Sequence, residues 1–398
     1  MRVLHLTTYP VRVPRHGGQA RVANLMSVYA AAGIEARAIA VYQPEHYGGD
    51  TVTAYDCPFP ERSKFRIPKL PLCTDIASGD FAVQDPQAWS RIRAEVERFA
   101  PDVIQLEHPW LWPVVERLRA SPGARRVRVV YSSHNIEAPL KRHILDGVDE
   151  RVVAEMCSRI DALERRVACE SDLSIAVTES DAAMLREFGA KRVVLASNGI
   201  VHRAVDPKTL RDWAWFHRER RFALFVGSAY PPNVKGFWDM FAPSLAFLAP
   251  DEYVLVVGGI CAIIGESPVY REWAGINASR LDLAGFQSET ALAALLALAS
   301  CVVVPITVGG GSNIKMAEAI YSGKPVVGTT MSFRGYEFAL DLPHVYATDE
   351  PTEFRRLVKQ AVEQSLPPAP PEAAELRRRV LWTETLKGIP DELRALGS

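Results

Sequence analysis

Short apolar runs alternate with amphipathic stretches through one half of this chain and again through the other, which restricts it to parallel sheets covered by helices on both faces. In the first half the strand-like runs fall at residues 2–7, 36–42, 103–106, 127–132, 172–178 and 193–196. In the second they fall at 222–226, 253–257, 281–284, 301–305 and 326–329. Between the first two, Val22, Leu25, Met26 and Tyr29 recur at helical spacing, with Gly33 past the end. Trp89, Ile92, Val96 and Phe99 mark another helix, closed by Pro101, and a long helical region spans 149–169. Residues 44–88 read as irregular and 202–221 as a linker region.

At 398 residues the chain is too long for one ordinary core. The expected division is a first doubly wound domain over 1–200, a second over 201–375, and a C-terminal helix over 376–398 packing back toward the first. Two such domains set a cleft at the carboxyl ends of their strands, where ligands bind in these folds. A single large α/β domain is the alternative. A net charge of −1 gives no general attraction to nucleic acid or to an anionic membrane. The six cysteines show no C-x-x-C pair or metal-ligand spacing, which suits a reduced compartment. The N-terminus turns polar at Thr7 and reads as neither signal peptide nor anchor. No apolar run approaches the roughly 20 residues of a membrane helix. A cytoplasmic protein is expected.

One segment carries most of the chemistry. Gly309, Gly310, Gly311, Ser312 and Asn313 form a loop between a strand and a helix, and that helix bears Lys315 and Glu318 before Gly323-Lys324-Pro325 leads into the next strand. Free N–H groups in such a loop, with the helix dipole behind them, favour a phosphate. Glu318 is placed to reach a ribose or sugar hydroxyl. A plain βαβ turn, with glycines only for close packing, is the competing reading.

The run Gly-Gly-Gly-Ser-x-x-Lys-x-x-Glu-Ala resembles the donor segment of GT-B glycosyltransferases of the family 4 type (group 1), in the branch that carries a triple glycine. The resemblance extends in order over about 330 residues. It takes in His16-Gly17-Gly18, Pro101-Asp102-Val103-Ile104, Ser133-His134-Asn135-Ile136-Glu137, Ser197-Asn198-Gly199, Gly227-Ser228 with Pro232-Asn233, and Gly285-Phe286. It implies two Rossmann-like domains facing a cleft, with a nucleotide diphosphate sugar as donor substrate and no other cofactor or metal. It also implies retention of configuration, with a glycan, a lipid-linked molecule or a small molecule as acceptor. By the same resemblance His134 contacts the donor sugar, while His16, Gly17 and Gly18 approach the donor phosphates and the acceptor. Gly227, Asn233, Gly310, Gly311, Ser312 and Asn313 line the donor side. Two departures stand out. Gly310 occupies the place of the first Glu of the Glu-x7-Glu pair common in relatives, and the Arg of their phosphate-clamping Arg and Lys is absent.

Without a metal, the charge on the leaving diphosphate must be met by protein. Lys315 and Lys235 are the candidate cations, and Phe286 is a candidate neighbour of the nucleobase. An inverting reaction would need a base, for which Glu107, His108 or Glu137 could serve. The basic run Arg62, Lys64, Arg66 and Lys69 is a candidate for peripheral membrane contact at the inner face. Other expectations for the same residues are a nucleotide-sugar epimerase and a non-catalytic nucleotide-sugar binder.

Overall fold

The computed structural model describes residues 1–66, 71–121, 126–145 and 147–397. The chain forms two compact units, one of Met1–Ser197 with Leu386–Ser398 and the other of Asn198–Thr385.

The first unit is built on β1 (Arg2–Thr7), β2 (Glu35–Tyr42), β3 (Cys57–Pro58), β4 (Val103–Glu107), β5 (Arg128–Ser132), β6 (Leu173–Ala176) and β7 (Val193–Leu195). These pair in parallel in the order β3-β2-β1-β4-β5-β6-β7. Val3 lies beside both Ala36 and Val103, so the order reverses between β1 and β4. Loops leaving β1, β4 and β5 therefore converge at one sheet edge. Leu4, Leu6, Ile39, Ile104 and Val129 are buried beneath helices, as the apolar runs require. The C-terminal helix Ile389–Gly397 belongs to this unit, and Arg394 donates to the Ala32 carbonyl at 2.7 Å.

The second unit repeats the plan with β8 (Arg221–Val226), β9 (Glu252–Val257), β10 (Leu281–Gly285), β11 (Cys301–Val304), β12 (Val326–Gly328) and β13 (Val345–Ala347). Their order is β10-β9-β8-β11-β12-β13, again all parallel, with the reversal between β8 and β11.

The stretch expected as one C-terminal helix over 376–398 is broken into helices Ala374–Arg378, Trp382–Thr385 and Ile389–Gly397, and three further features differ from the sequence expectation. The stretch read as linker holds a helix, Pro207–Phe216, begun by an Asp206 cap and a proline in its first turn. The irregular stretch contains β3 and a helix, Ser78–Gln84. An edge strand, β13, was not anticipated, because three residues carry too little periodicity to read.

Helix Pro231–Phe241 is pressed onto the end of β11 at Gly236, where an added Cβ would stand 2.1 Å from the Pro305 carbonyl oxygen. Gly236→Ala is expected to lower stability by about 1–3 kcal/mol, read as a lower melting temperature with unchanged circular dichroism. An unaltered melting temperature would show that the helix can lift off without cost.

Candidate functional site

At the carboxyl edge of the first sheet, polar residues alternate along β4 toward one face. Gln105 and Glu107 are fully buried there, and His5 of β1 points at the same place. Glu107 accepts from His5 Nδ1 at 2.8 Å, from His134 Nε2 at 2.8 Å and from the Gln105 amide at 2.8 Å. Tyr29 fixes that amide by donating to Gln105 Oε1 at 2.7 Å. Burial alone would raise the Glu107 pKa, but the bonds from His134 and His5 outweigh it and hold the carboxyl well below the usual range. Burial, with His108 alongside, pushes His134 down to about 4. His134 is thus a neutral imidazole with its proton on Nε2 and a lone pair on Nδ1.

His108 follows β4 in the left-handed region, at φ 73°. Its Nδ1 lies 2.7 Å from Glu137 Oε1, its Nε2 3.3 Å from the Tyr9 hydroxyl, and its ring 4.2 Å from that of His134. Burial would raise Glu137, yet the hydrogen bond from His108 brings it below its ordinary value. One layer deeper, Glu164 accepts from the Tyr131 hydroxyl at 2.7 Å and from the Glu137 N–H at 2.9 Å. Burial and the neighbouring Glu137 push Glu164 up to about 8.

His16 caps helix Gly17–Ala31, accepting from the Gln19 N–H, and its ring meets Tyr9 edge-on. Gly18 leaves room for Tyr9, whose hydroxyl would lie 2.6 Å from an added Cβ. The three base candidates are therefore not equivalent. Glu107 is enclosed by donors, while His108 and Glu137 form a pair. Sequence reading named His134, Glu107, His108 and Glu137 but missed His5 and Gln105; the signal available was a polar residue inside an otherwise apolar strand.

In the second unit the loop after β11 turns through Gly309 at φ 146° and Gly311 at φ 63°, angles that favour glycine. Among the described residues, the backbone N–H groups of Gly310, Gly311 and Ser312 make no hydrogen bond. The loop is held from outside: Arg334 donates to the Gly309 carbonyl, and Ser312 Oγ accepts from the Asn198 N–H at 3.2 Å. Helix Ile314–Ser322 then begins at Asn313, which supplies no side-chain cap and whose buried Nδ2 has no partner. Lys315 is half-buried without an ion pair among the described residues, and burial lowers its pKa against the pull of Glu318. Glu318 pairs with Arg203 at 2.6 Å, and Arg203 also binds Glu289. The same carboxylate lines a cleft of about 220 Å³ with Arg203, Ile200, Leu296 and Tyr321.

The remaining candidates are placed differently. Lys235 is bound to Asp239 at 2.6 Å, and Asp239 also accepts from Thr307 at 2.7 Å, so this ammonium does not stand free. Asn233 straps the turn after β8, donating to the Ser228 carbonyl at 3.0 Å. Gly227 packs against Ile260, which would lie 3.0 Å from an added Cβ. Phe286 is 84% exposed just past β10, outside any core. Of the basic run, Arg66 is bound to Glu45 and stacked on Phe59, Arg62 and Lys64 are exposed, and Lys69 lies outside the described residues. Arg203 and Arg334 had no sequence signal, since each sits in an irregular stretch.

Two doubly wound units, each with its polar groups at the carboxyl edge of its sheet, define the GT-B fold. More particularly, the chain belongs to the group 1 glycosyltransferases: a glycosyl transferase 4-like domain matches residues 16–199, and glycosyl transferases group 1 matches 220–363. Sucrose-phosphate synthase from Thermosynechococcus elongatus is similar in fold, with a TM-score of 0.70 and 13% identity over 100% of this chain and 99% of that one. HepE of Anabaena in complex with UDP-glucose gives 0.65 and 16% over 99% and 100%. The trehalose 6-phosphate synthase of Burkholderia multivorans gives 0.63 and 12% over 100% and 99%. No curated protein matches the chain by sequence.

Because Glu164 holds its proton more tightly when folded, its contribution to stability is full below the ordinary value of about 4.5 and is lost as pH rises to about 8. Glu164→Gln is expected to gain on the wild type in melting temperature across that window. A gap that stays constant with pH would show that Glu164 does not titrate there.

Proposed function

We propose that this chain moves a sugar from a nucleotide diphosphate sugar to a glycan, lipid-linked or small-molecule acceptor, with retention and without a metal. The observation that carries this is the unpaired N–H row of Gly310, Gly311 and Ser312 at an uncapped helix start, with an unpaired Lys315 beside it. Such a site suits a diphosphate that gains charge as it leaves. The bond from the anomeric carbon to the phosphate oxygen breaks, and the acceptor oxygen bonds that carbon on the same face. The acceptor proton passes to the departing phosphate, so no carboxylate base is required. In this reading Glu318 holds the ribose, Phe286 flanks the base, and neutral His134 accepts a sugar hydroxyl through Nδ1. Lys315 and the loop N–H groups then meet the diphosphate charge that the missing Arg would meet.

HepE is held with UDP and with UDP-glucose, so uridine donors are the first to try. Thermal shift with nucleotide diphosphates and their sugars should show one preferred base, with shift and turnover unchanged by EDTA; loss of both in EDTA would overturn metal independence. Glu318→Ala is expected to weaken donor binding by roughly 1.5–3 kcal/mol. Unchanged affinity in a folded variant would remove Glu318 from the site.

A further inference from the structure

Helix Pro207–Phe216 packs one side on helix Glu289–Leu298 and turns Thr209, Leu210, Trp213 and Ala214 inward, with the Trp213 ring stacked 5.4 Å from that of His217. Its last two residues stay largely outside, although the Phe216 ring meets those of Trp213 and His217 edge-on at 5.9 and 4.9 Å. Trp215 is 67% exposed and Phe216 63%, adjacent in sequence on a helix end. Single exposed apolar residues are ordinary, but two consecutive aromatic residues, both mostly exposed at one helix end, form a patch that gains from being covered.

The charges around that patch indicate what covers it. Residues 207–220 carry four cations, Lys208, Arg211, Arg218 and Arg220, against two acids, Asp212 and Glu219. All four cations are exposed, and Lys208 and Arg211 have no ion pair among the described residues. Arg218 lies 4.4 Å over the Trp215 ring. A second copy of the chain, meeting this patch through a two-fold axis, would set these cations against themselves. A surface of anionic headgroups is complementary to them, and Trp beside Arg is the pairing that sits at headgroup depth.

We propose that the end of helix Pro207–Phe216 is a docking element for an anionic phospholipid surface, with Trp215 and Phe216 entering the interface and Lys208, Arg211 and Arg218 at the phosphate level. This element is separate from the run at residues 62–69, whose Arg66 is held within the fold.

The test is cosedimentation of the full chain with vesicles of phosphatidylglycerol and phosphatidylcholine, against vesicles of phosphatidylcholine alone. Binding to the anionic vesicles should be stronger, should fall with salt and should shift tryptophan emission to the blue. Trp215→Ser with Phe216→Ser should lose about tenfold or more in partition. Both positions are exposed, so melting temperature and turnover of a soluble acceptor should stay at the wild-type level. Lys208→Glu with Arg211→Glu should abolish the preference for anionic lipid. Equal binding to both vesicle types, or a double aromatic variant that binds as the wild type does, would overturn the proposal. So would light scattering that shows a dimer which this variant dissociates.

Discussion

A carboxylate with no access to water persists in the first unit because every donor around it is aimed inward. Glu107 takes its hydrogen bonds from His5, His134 and Gln105, and each of those comes from a different place in the chain. Leaving a carboxylate uncompensated there would cost several kcal/mol, so strands β1 and β4 and the loop after β5 must arrive in register together. The switch in strand order between β1 and β4 is what lets them meet. The charge then fixes the imidazoles. A carboxylate can only accept, so His134 must give its Nε2 proton and present Nδ1 as an acceptor. Tautomer and orientation of that ring follow from one buried anion, while its neutrality comes from burial and the neighbouring His108, against the pull of Glu107.

The second unit solves the opposite problem. Where Glu107 is surrounded by donors that are fully used, the loop of Gly310, Gly311 and Ser312 keeps donors that are unused. Its shape is enforced from behind, by Arg334 on the Gly309 carbonyl and by Asn198 on Ser312. The N–H row therefore keeps its direction without a ligand, and little reorganisation is needed when an anion arrives. Lys315 adds a cation that no neighbouring carboxylate neutralises directly.

Much of this was legible in the sequence, and the limits have physical causes. Buried parallel strands are continuous apolar runs, so β1, β4, β8 and β11 stood out. The three-residue β13 and the two-residue β3 did not, because they are held by pairing rather than by pattern. Helix Pro207–Phe216 was hidden because its strongest residues, Trp215 and Phe216, lie on the outside, which inverts the usual periodicity. Among site residues, glycines at positive φ and a histidine after a strand announce themselves. Arg203 and Arg334 do not, since an arginine in a loop has no preferred partner until the fold supplies one.

Lys235 and Arg203 show why charge type alone misplaces a site. Lysine 235 followed by glycine looked like a phosphate clamp, yet Gly236 is required by the closeness of Pro305, and Lys235 is bound to Asp239 one helical turn on. An i,i+4 pair of this kind is weak on a surface, but it directs the ammonium along the helix. Arg203 had no motif behind it, yet it is half-buried between Glu318 and Glu289. A guanidinium so placed holds a carboxylate in one orientation, because its planar fork fixes both partners at once. The cation that shapes the Glu318 cleft is therefore the one whose geometry is constrained by burial.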